Sequence, residues 1–117
     1  MKKVKIYWVI IITLLLTSCN YRTPSKVRFE KITGIELSDS IKVIEDRFEG
    51  SGPDYGLYYK ISISKKDCIE LFKNIEKSKD WTKDGKLWQF HKSIDGITYD
   101  IVFSVDECKI SYNEELI

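Results

Sequence analysis

Strict alternation of apolar and polar side chains is the feature that most narrows what this chain can form. Leu57, Tyr59, Ile61 and Ile63 stand at every second position, and the same period of two returns from residue 97 onward. The residues between the first four are Tyr58, Lys60 and Ser62. Because successive side chains of a strand point to opposite faces, this pattern predicts strands with one buried and one wet face.

One amphipathic helix interrupts the strands. Ser64 precedes it, and Asp67 stands three residues further on, as in a capping box in which Asp replaces the preferred Glu. The apolar residues at helical spacing are Cys68, Leu71, Phe72 and Ile75. A helix with a single apolar stripe can bury that stripe against one face of a sheet.

The remaining segments complete a small α+β fold. Ser25 can cap a short helix that ends at Gly34, and Asp-Gly dipeptides at residues 84–85 and 95–96 suit tight turns. Further strands are expected at residues 41–44, 86–92, 97–105 and 108–112. We predict a two-layer α+β domain over residues 27–117, with an about five-stranded, mostly antiparallel sheet. One main helix and the short N-terminal helix pack on one face of that sheet.

The first 18 residues have the layout of a signal peptide. Lys2, Lys3 and Lys5 form a basic start, and a largely apolar run of 11 residues follows at 6–16. A helix needs about 20 residues to cross a bilayer, so this run is too short for a permanent span. The pattern therefore predicts a cleaved signal peptide over residues 1–18.

The end of this leader carries a more specific pattern. Leu16, Thr17, Ser18 and Cys19 resemble the bacterial lipobox at all four positions. The resemblance implies that the Cys19 thiol receives a diacylglyceryl group, that the chain is cut before it, and that the new amine is often acylated. Two or more acyl chains, such as palmitate, anchor a protein stably. The alternative is an ordinary secretory signal or an uncleaved anchor, with Cys19 incidental.

A lipoprotein identity also implies a place for the rest of the chain. Residues 19–26 become the lipid-bearing cysteine and a polar tether, and the domain lies outside the cytoplasm on the cell membrane or the outer membrane. Residues 33–37 and 41–44 are similar to segments of small uncharacterised bacterial lipoproteins. No activity comes with that second similarity.

The charge balance excludes one class of partner. Removing the three leader lysines from the 19 basic residues leaves 16 against 18 acidic ones. A nucleic-acid-binding domain needs a basic surface to neutralise phosphates. We therefore expect no nucleic acid as a partner. The lipobox resemblance implies the membrane as a partner through Cys19, and an envelope protein or a small ligand is expected beside it.

Two cysteines remain once Cys19 is assigned to lipid. Cys68 and Cys108 each fall on the apolar side of their element, in a compartment that permits disulfides. We predict a bond between them, with two buried thiols as the alternative, because sequence fixes neither the Cα separation nor the Cβ directions.

Residues with recognisable chemistry are scarce. His91 is the only histidine, so it would have to be the base of any Ser-His-Asp arrangement, and no Gly-x-Ser-x-Gly nucleophile motif accompanies it. The glycine cluster at residues 50–56 lacks the ending of a phosphate-binding loop, and the acidic residues match no calcium-loop spacing. We predict no catalytic residues, no metal site and no cofactor.

Aromatic residues near loops provide the candidate binding surface. Trp81 lies in a polar segment, and Tyr55 and Tyr58 follow the glycine cluster, so none of the three has an obvious buried position. Exposed aromatic residues commonly anchor protein interfaces or ligands. The alternative for Trp81 is that its ring folds back and plugs the end of the core.

Two function classes follow from these features. The favoured one is a non-catalytic binding or interaction module of the bacterial envelope, because nothing in the chain pairs a nucleophile with a base. The other is a small envelope hydrolase that uses carboxylates or His91.

Overall fold

The alternating segments form one sheet. The computed structural model describes residues 23–51 and 53–116, and in these ranges the chain forms two α-helices and six β-strands. In chain order the elements are α1 (Ser25–Thr33), β1 (Lys42–Ser51), β2 (Asp54–Ser62), α2 (Lys65–Lys77), β3 (Trp81–Asp84), β4 (Leu87–Ile94), β5 (Ile97–Ser104) and β6 (Lys109–Leu116). The predicted signal peptide, Cys19 and the first part of the tether lie outside the described residues.

All neighbouring strands of the sheet are antiparallel, and their order is β1-β2-β6-β5-β4-β3. Helix α2 carries the chain from β2, near one edge, to β3 at the opposite edge. Three hairpins then bring the chain back until β6 lies beside β2. The fold is therefore α+β with an open antiparallel sheet, as predicted.

Large side chains run in a row across one face of the sheet. Tyr59 lies opposite Tyr112, and Tyr112 lies opposite Ile101. Phe90 continues the row beside Ile101. All four side chains are buried, and burying one such side chain stabilises a fold by about 1.5–3 kcal/mol. We call the face that carries this row the inner face and the opposite one the open face.

Both helices pack on the inner face. The ring of Phe29 in α1 contacts Tyr112, with centroids 6.2 Å apart, and the ring of Phe72 in α2 contacts Trp88 at 6.1 Å. Tyr112 belongs to the row, and Trp88 lies two residues before Phe90 on the same face of β4. The core therefore lies between one helical layer and the inner face.

Helix α2 forms as its sequence predicts. The backbone N–H of Asp67 donates to the Ser64 side chain, which caps the helix. Cys68, Leu71 and Ile75 are buried on one stripe. Local capping and helical periodicity agree here with the tertiary contacts, so the prediction is confirmed.

Helix α1 begins differently from the prediction. Pro24 occupies the cap position without a side-chain hydrogen bond, and Ser25 is the first helical residue. The buried Ser25 hydroxyl instead donates to Asp46 in β1, at 2.6 Å. The predicted cap is wrong because a long-range partner takes the hydroxyl. Gly34 does end the helix in the left-handed region, with φ of 72°.

In the described residues the sheet has six strands, one more than the predicted count of about five. The additional strand is β3, in which Trp81 pairs with Phe90 while the other three side chains are exposed. A four-residue edge strand with one buried residue produces no alternation that the sequence could reveal. Strand β1 is also longer than predicted, because residues 45–49, four of which are charged, pair with β2 as well.

A disulfide joins the helical layer to the sheet. Cys68 of α2 is bonded to Cys108, which immediately precedes β6, and their Cα atoms are 5.7 Å apart. The bond confirms the predicted pairing. It closes a loop of 40 residues that includes most of α2 and strands β3 to β5.

Candidate functional site

The three aromatic residues of the predicted binding surface do not come together. Tyr55 and Tyr58 both belong to β2, but they stand three positions apart and therefore point to opposite faces. Trp81 begins β3, at the far edge of the sheet. The structure thus separates Trp81 from the two tyrosines.

Trp81 is buried rather than exposed. Only 5% of its surface meets solvent, and its ring packs against Phe90 with centroids 5.4 Å apart. The buried indole Nε1 has no hydrogen-bond partner among the described residues. Trp81 is therefore part of the core, as the alternative interpretation of its position predicts, and it offers no exposed aromatic surface.

A buried carboxylate marks the most unusual cluster in the described part of the chain. Glu114 of β6 is 2% exposed. Its Oε2 accepts hydrogen bonds from Arg28 Nη1, at 2.6 Å, and from the Tyr55 hydroxyl. Its Oε1 accepts from the Tyr112 hydroxyl at 2.5 Å. A buried charge is tolerated only with such partners, and here three donors supply them.

Three different elements bring these groups together. Strand alternation places Tyr112 and Glu114 on the inner face of β6, and Tyr55 reaches the same face from β2. Helix α1 supplies Arg28, whose Nε also donates to the Thr23 carbonyl oxygen at 3.1 Å. Glu114 therefore ties α1 to the sheet across 86 residues of sequence.

The carboxylate also changes the acidity of its tyrosine partners. Burial raises the pKa of Tyr55 to about 12, and the hydrogen bond and negative charge of Glu114 add to that shift. Burial and then Glu114 raise the pKa of Tyr112 far above its usual value. A phenol with its ordinary pKa of 10.0 is already protonated at neutral pH, and the raised pKa keeps both groups hydrogen-bond donors at higher pH as well.

A cavity of about 290 Å³ opens beside this cluster. We call it the tyrosine pocket; its polar walls are Arg28, Lys31, Tyr55, Tyr99, Tyr112 and Glu114. Thr23, the first described residue, also lines it. Two cationic side chains against one carboxylate leave the walls with a net positive charge. The pocket can therefore accommodate an anionic group next to aromatic surface.

Tyr55 separates this pocket from a second hollow of opposite charge. That hollow measures about 370 Å³, and its polar lining includes Glu49, Asp54 and Glu115. In this hollow the Tyr58 side chain packs directly over Gly56. A Cβ atom added to Gly56 would lie 2.9 Å from the Tyr58 hydroxyl oxygen. The Arg47 guanidinium already lies over the Tyr58 ring, 4.7 Å from its centroid. Tyr58 thus has a cation from its own chain as a neighbour.

His91 lies on the open face, away from both cavities. Its Nδ1 is 2.5 Å from Asp100 Oδ1, and the two side chains are 66% and 55% exposed. Asp100 is the only described residue that hydrogen-bonds the imidazole. The pair is a His-carboxylate couple on an exposed surface, without a nucleophile at hydrogen-bond distance in the described ranges.

The sequence contains one signal that identifies Glu114. Cys108, Ile110 and Tyr112 stand at every second position of the predicted last strand, and extending this period by two residues places Glu114 on the same face as Tyr112. An acidic residue at a position predicted to be buried indicates a paired charge. Its partner Arg28 carries no corresponding signal, because α1 and β6 are distant in sequence.

No family model matches this chain, and comparisons with curated proteins and with solved structures gave no match. Neither helix in the described ranges has the length and apolar character needed to cross a bilayer. Within residues 23–51 and 53–116, no three His, Cys, Asp or Glu side chains are grouped so as to hold a metal ion.

Proposed function

We propose that this chain is a lipoprotein of the bacterial envelope, anchored through lipid on Cys19, whose domain binds a small anionic ligand in the tyrosine pocket. The observation that carries the proposal is the pocket itself, in which Lys31 and Arg28 stand beside tyrosine rings. The domain acts outside the cytoplasm and without catalysis.

The position of the pocket supports a role close to the membrane. Thr23 lines the pocket and lies four residues after Cys19. Because an extended chain spans at most about 3.6 Å per residue, the two Cα atoms are within about 15 Å of each other. A lipid on Cys19 would therefore hold the pocket close to the bilayer surface.

The chemistry of the walls supports an anionic ligand. Glu114 uses its oxygens to accept from Arg28, Tyr55 and Tyr112. Lys31 is exposed on α1 and adds a positive charge that this network does not neutralise. The carboxylate or phosphate group of a ligand can pair with Lys31, while the apolar part of the same ligand contacts the Tyr99 ring.

Replacing Cys19 tests the anchor. In Cys19→Ala we expect the protein to move from the detergent phase to the aqueous phase of a phase-partition assay, since the variant lacks the thiol that accepts lipid. Cys68→Ala serves as the control, because it also removes a cysteine but should leave the protein in the detergent phase. A Cys19→Ala protein that stays in the detergent phase would refute lipid anchoring.

Reversing the charge of Lys31 tests the pocket. We expect the protein extracted from its native membranes to carry an anionic small molecule, detected by native mass spectrometry. In Lys31→Glu the fraction of protein that carries this molecule should fall at least tenfold. Lys73→Glu makes the same charge change at an exposed position of α2 and should retain it. Equal retention by the two variants, or no bound anion in the wild type, would contradict the proposal.

One observation favours a hydrolase as the second candidate. The close contact between His91 and Asp100 resembles the base and orienting carboxylate of a nucleophilic enzyme. The exposure of both side chains argues against it, because catalytic charges work best where water is excluded. A hydrolytic activity that disappears in a correctly folded His91→Ala variant would favour this candidate.

A further inference from the structure

Strand β1 is an edge strand with an unusual surface. In the part of the chain that the structure describes, it has a neighbouring strand on one side only, which is β2. Residues 42–50 are all exposed. They include three large apolar side chains: Val43 (56% exposed), Ile44 (51%) and Phe48 (44%). Edge strands of this length usually carry features that prevent pairing with another chain.

The charges of β1 do not prevent such pairing, because both signs are present. In β1, Glu45, Arg47 and Glu49 point to the open face, whereas Asp46 and Phe48 point to the inner face. The Arg47 guanidinium and the Glu49 carboxylate already attract each other within one chain, at 2.9 Å. In a pair of such strands, the Arg47 guanidinium of each copy can be attracted in the same way to the Glu49 carboxylate of the other copy.

The charges also select one register for an antiparallel pair of identical strands. Pairing centred on Arg47 places Arg47 opposite Arg47 and Glu45 opposite Glu49. Pairing centred on Asp46 places two carboxylates opposite each other. Like charges directly opposite are destabilising. Among registers centred between Glu45 and Glu49, in the regular part of β1, only the one centred on Phe48 avoids them. It pairs each Arg47 with the Glu49 of the other copy and brings the two Phe48 residues together.

We propose that two copies of this chain associate through their β1 edges, antiparallel and centred on Phe48, to form a continuous twelve-stranded sheet. The two-fold axis of such a pair is perpendicular to the sheet. Both helical layers then lie on the same side of the sheet, and so do both Thr23 residues. If the proposed lipid anchor is correct, the two tethers can enter one membrane; the register of the pair does not depend on the anchor.

Membrane attachment would also favour the pair energetically. The regular part of β1 after its bulge between Val43 and Glu45 is short, so the interface is small and weak in dilute solution. Confinement to a membrane raises the effective concentration of one copy around another without any new contact. Association is therefore expected in the membrane at protein levels that leave a dilute detergent sample monomeric.

Cysteine cross-linking in native membranes tests the register. In Phe48→Cys the two engineered residues face each other across the axis with Cα atoms about 4.5–5.5 Å apart, within disulfide range. We expect an oxidant-dependent dimer on a non-reducing gel. Ile44→Cys is the matched control, since it is similarly exposed but its two copies lie roughly 25 Å apart in this register. The wild type controls for the native cysteines.

A charge exchange in the Phe48→Cys background tests the pairing of Arg47 with Glu49. In Glu49→Arg the introduced arginine of each copy lies opposite Arg47 of the other copy, so the pair contains two repulsive contacts. The cross-linked fraction should fall at least tenfold. Adding Arg47→Glu to that variant restores both attractions and should restore the dimer. The pairing is overturned if Phe48→Cys stays monomeric, if Ile44→Cys cross-links equally well, or if Glu49→Arg has no effect.

Discussion

Removal of the Cys68–Cys108 disulfide is expected to lower the free energy of unfolding by about 4 kcal/mol. The bond closes a loop of 40 residues, and the cross-link reduces the conformational entropy of the unfolded chain by an amount that grows with the logarithm of loop length. The double variant Cys68→Ala/Cys108→Ala should show this loss in urea unfolding. Total stability of a domain is about 5–15 kcal/mol, so the variant is expected to be marginal.

A reductant provides the matched control for this prediction. It should lower the stability of the wild type to that of the double variant and leave the double variant unchanged. Cys68 is 2% exposed and Cys108 is partly buried, so reduction is expected to be slower in the folded protein than in urea. A wild type whose unfolding midpoint is the same with and without reductant would contradict the assigned contribution of the bond.

Local signals account for the parts of the fold that were predicted correctly. Ser64 and Asp67 determine the start of α2 within a few residues of sequence, and Asp95 and Gly96 both adopt positive φ in the turn between β4 and β5. The alternation after residue 57 indicates which face of each strand is buried. These features require no knowledge of distant contacts, so the sequence alone is sufficient for them.

The incorrect predictions concern residues whose partners lie far away in the chain. The Ser25 hydroxyl bonds Asp46 of β1 instead of capping α1. For Trp81 the sequence leaves an exposed and a buried position open, and the pairing of its strand with β4 selects the buried one. The tyrosine pocket also depends on distant contacts, because Arg28, Tyr55 and Glu114 come to it from three different elements. Periodicity can place each residue on a face, but it cannot say which faces meet.

Glu114 is another residue at which a distant contact should matter for stability. We expect Glu114→Gln to lower the free energy of unfolding by about 3 kcal/mol or more, because it leaves the Arg28 guanidinium without its carboxylate and weakens the bonds from two phenols. Glu115→Gln is the matched control. Glu115 is the next residue of β6 and faces the opposite side of the sheet, and its replacement should change stability by at most about 0.5 kcal/mol.

A double variant separates the pairing of Glu114 from its burial. Arg28→Leu/Glu114→Leu removes both charges together, so no unpaired charge remains in the core. Replacing a buried ion pair by apolar residues is often neutral or stabilising. We therefore expect the double variant to be more stable than Glu114→Gln. If Glu114→Gln is as stable as Glu115→Gln, the buried carboxylate does not hold α1 on the sheet.

The pH at which Tyr55 ionises depends on the same carboxylate. The pKa of Tyr55 is about 12 in the folded protein, against an ordinary value of 10.0 in the unfolded chain. Because the folded-state value is the higher one, this group contributes stability below pH 10 that is lost as the pH rises from about 10 through about 12. In Glu114→Gln burial still raises the pKa of Tyr55, but the hydrogen bond and charge of the carboxylate are gone. Phenolate absorbance should then show Tyr55, identified by comparison with Tyr55→Phe, ionising at a pH between these two values.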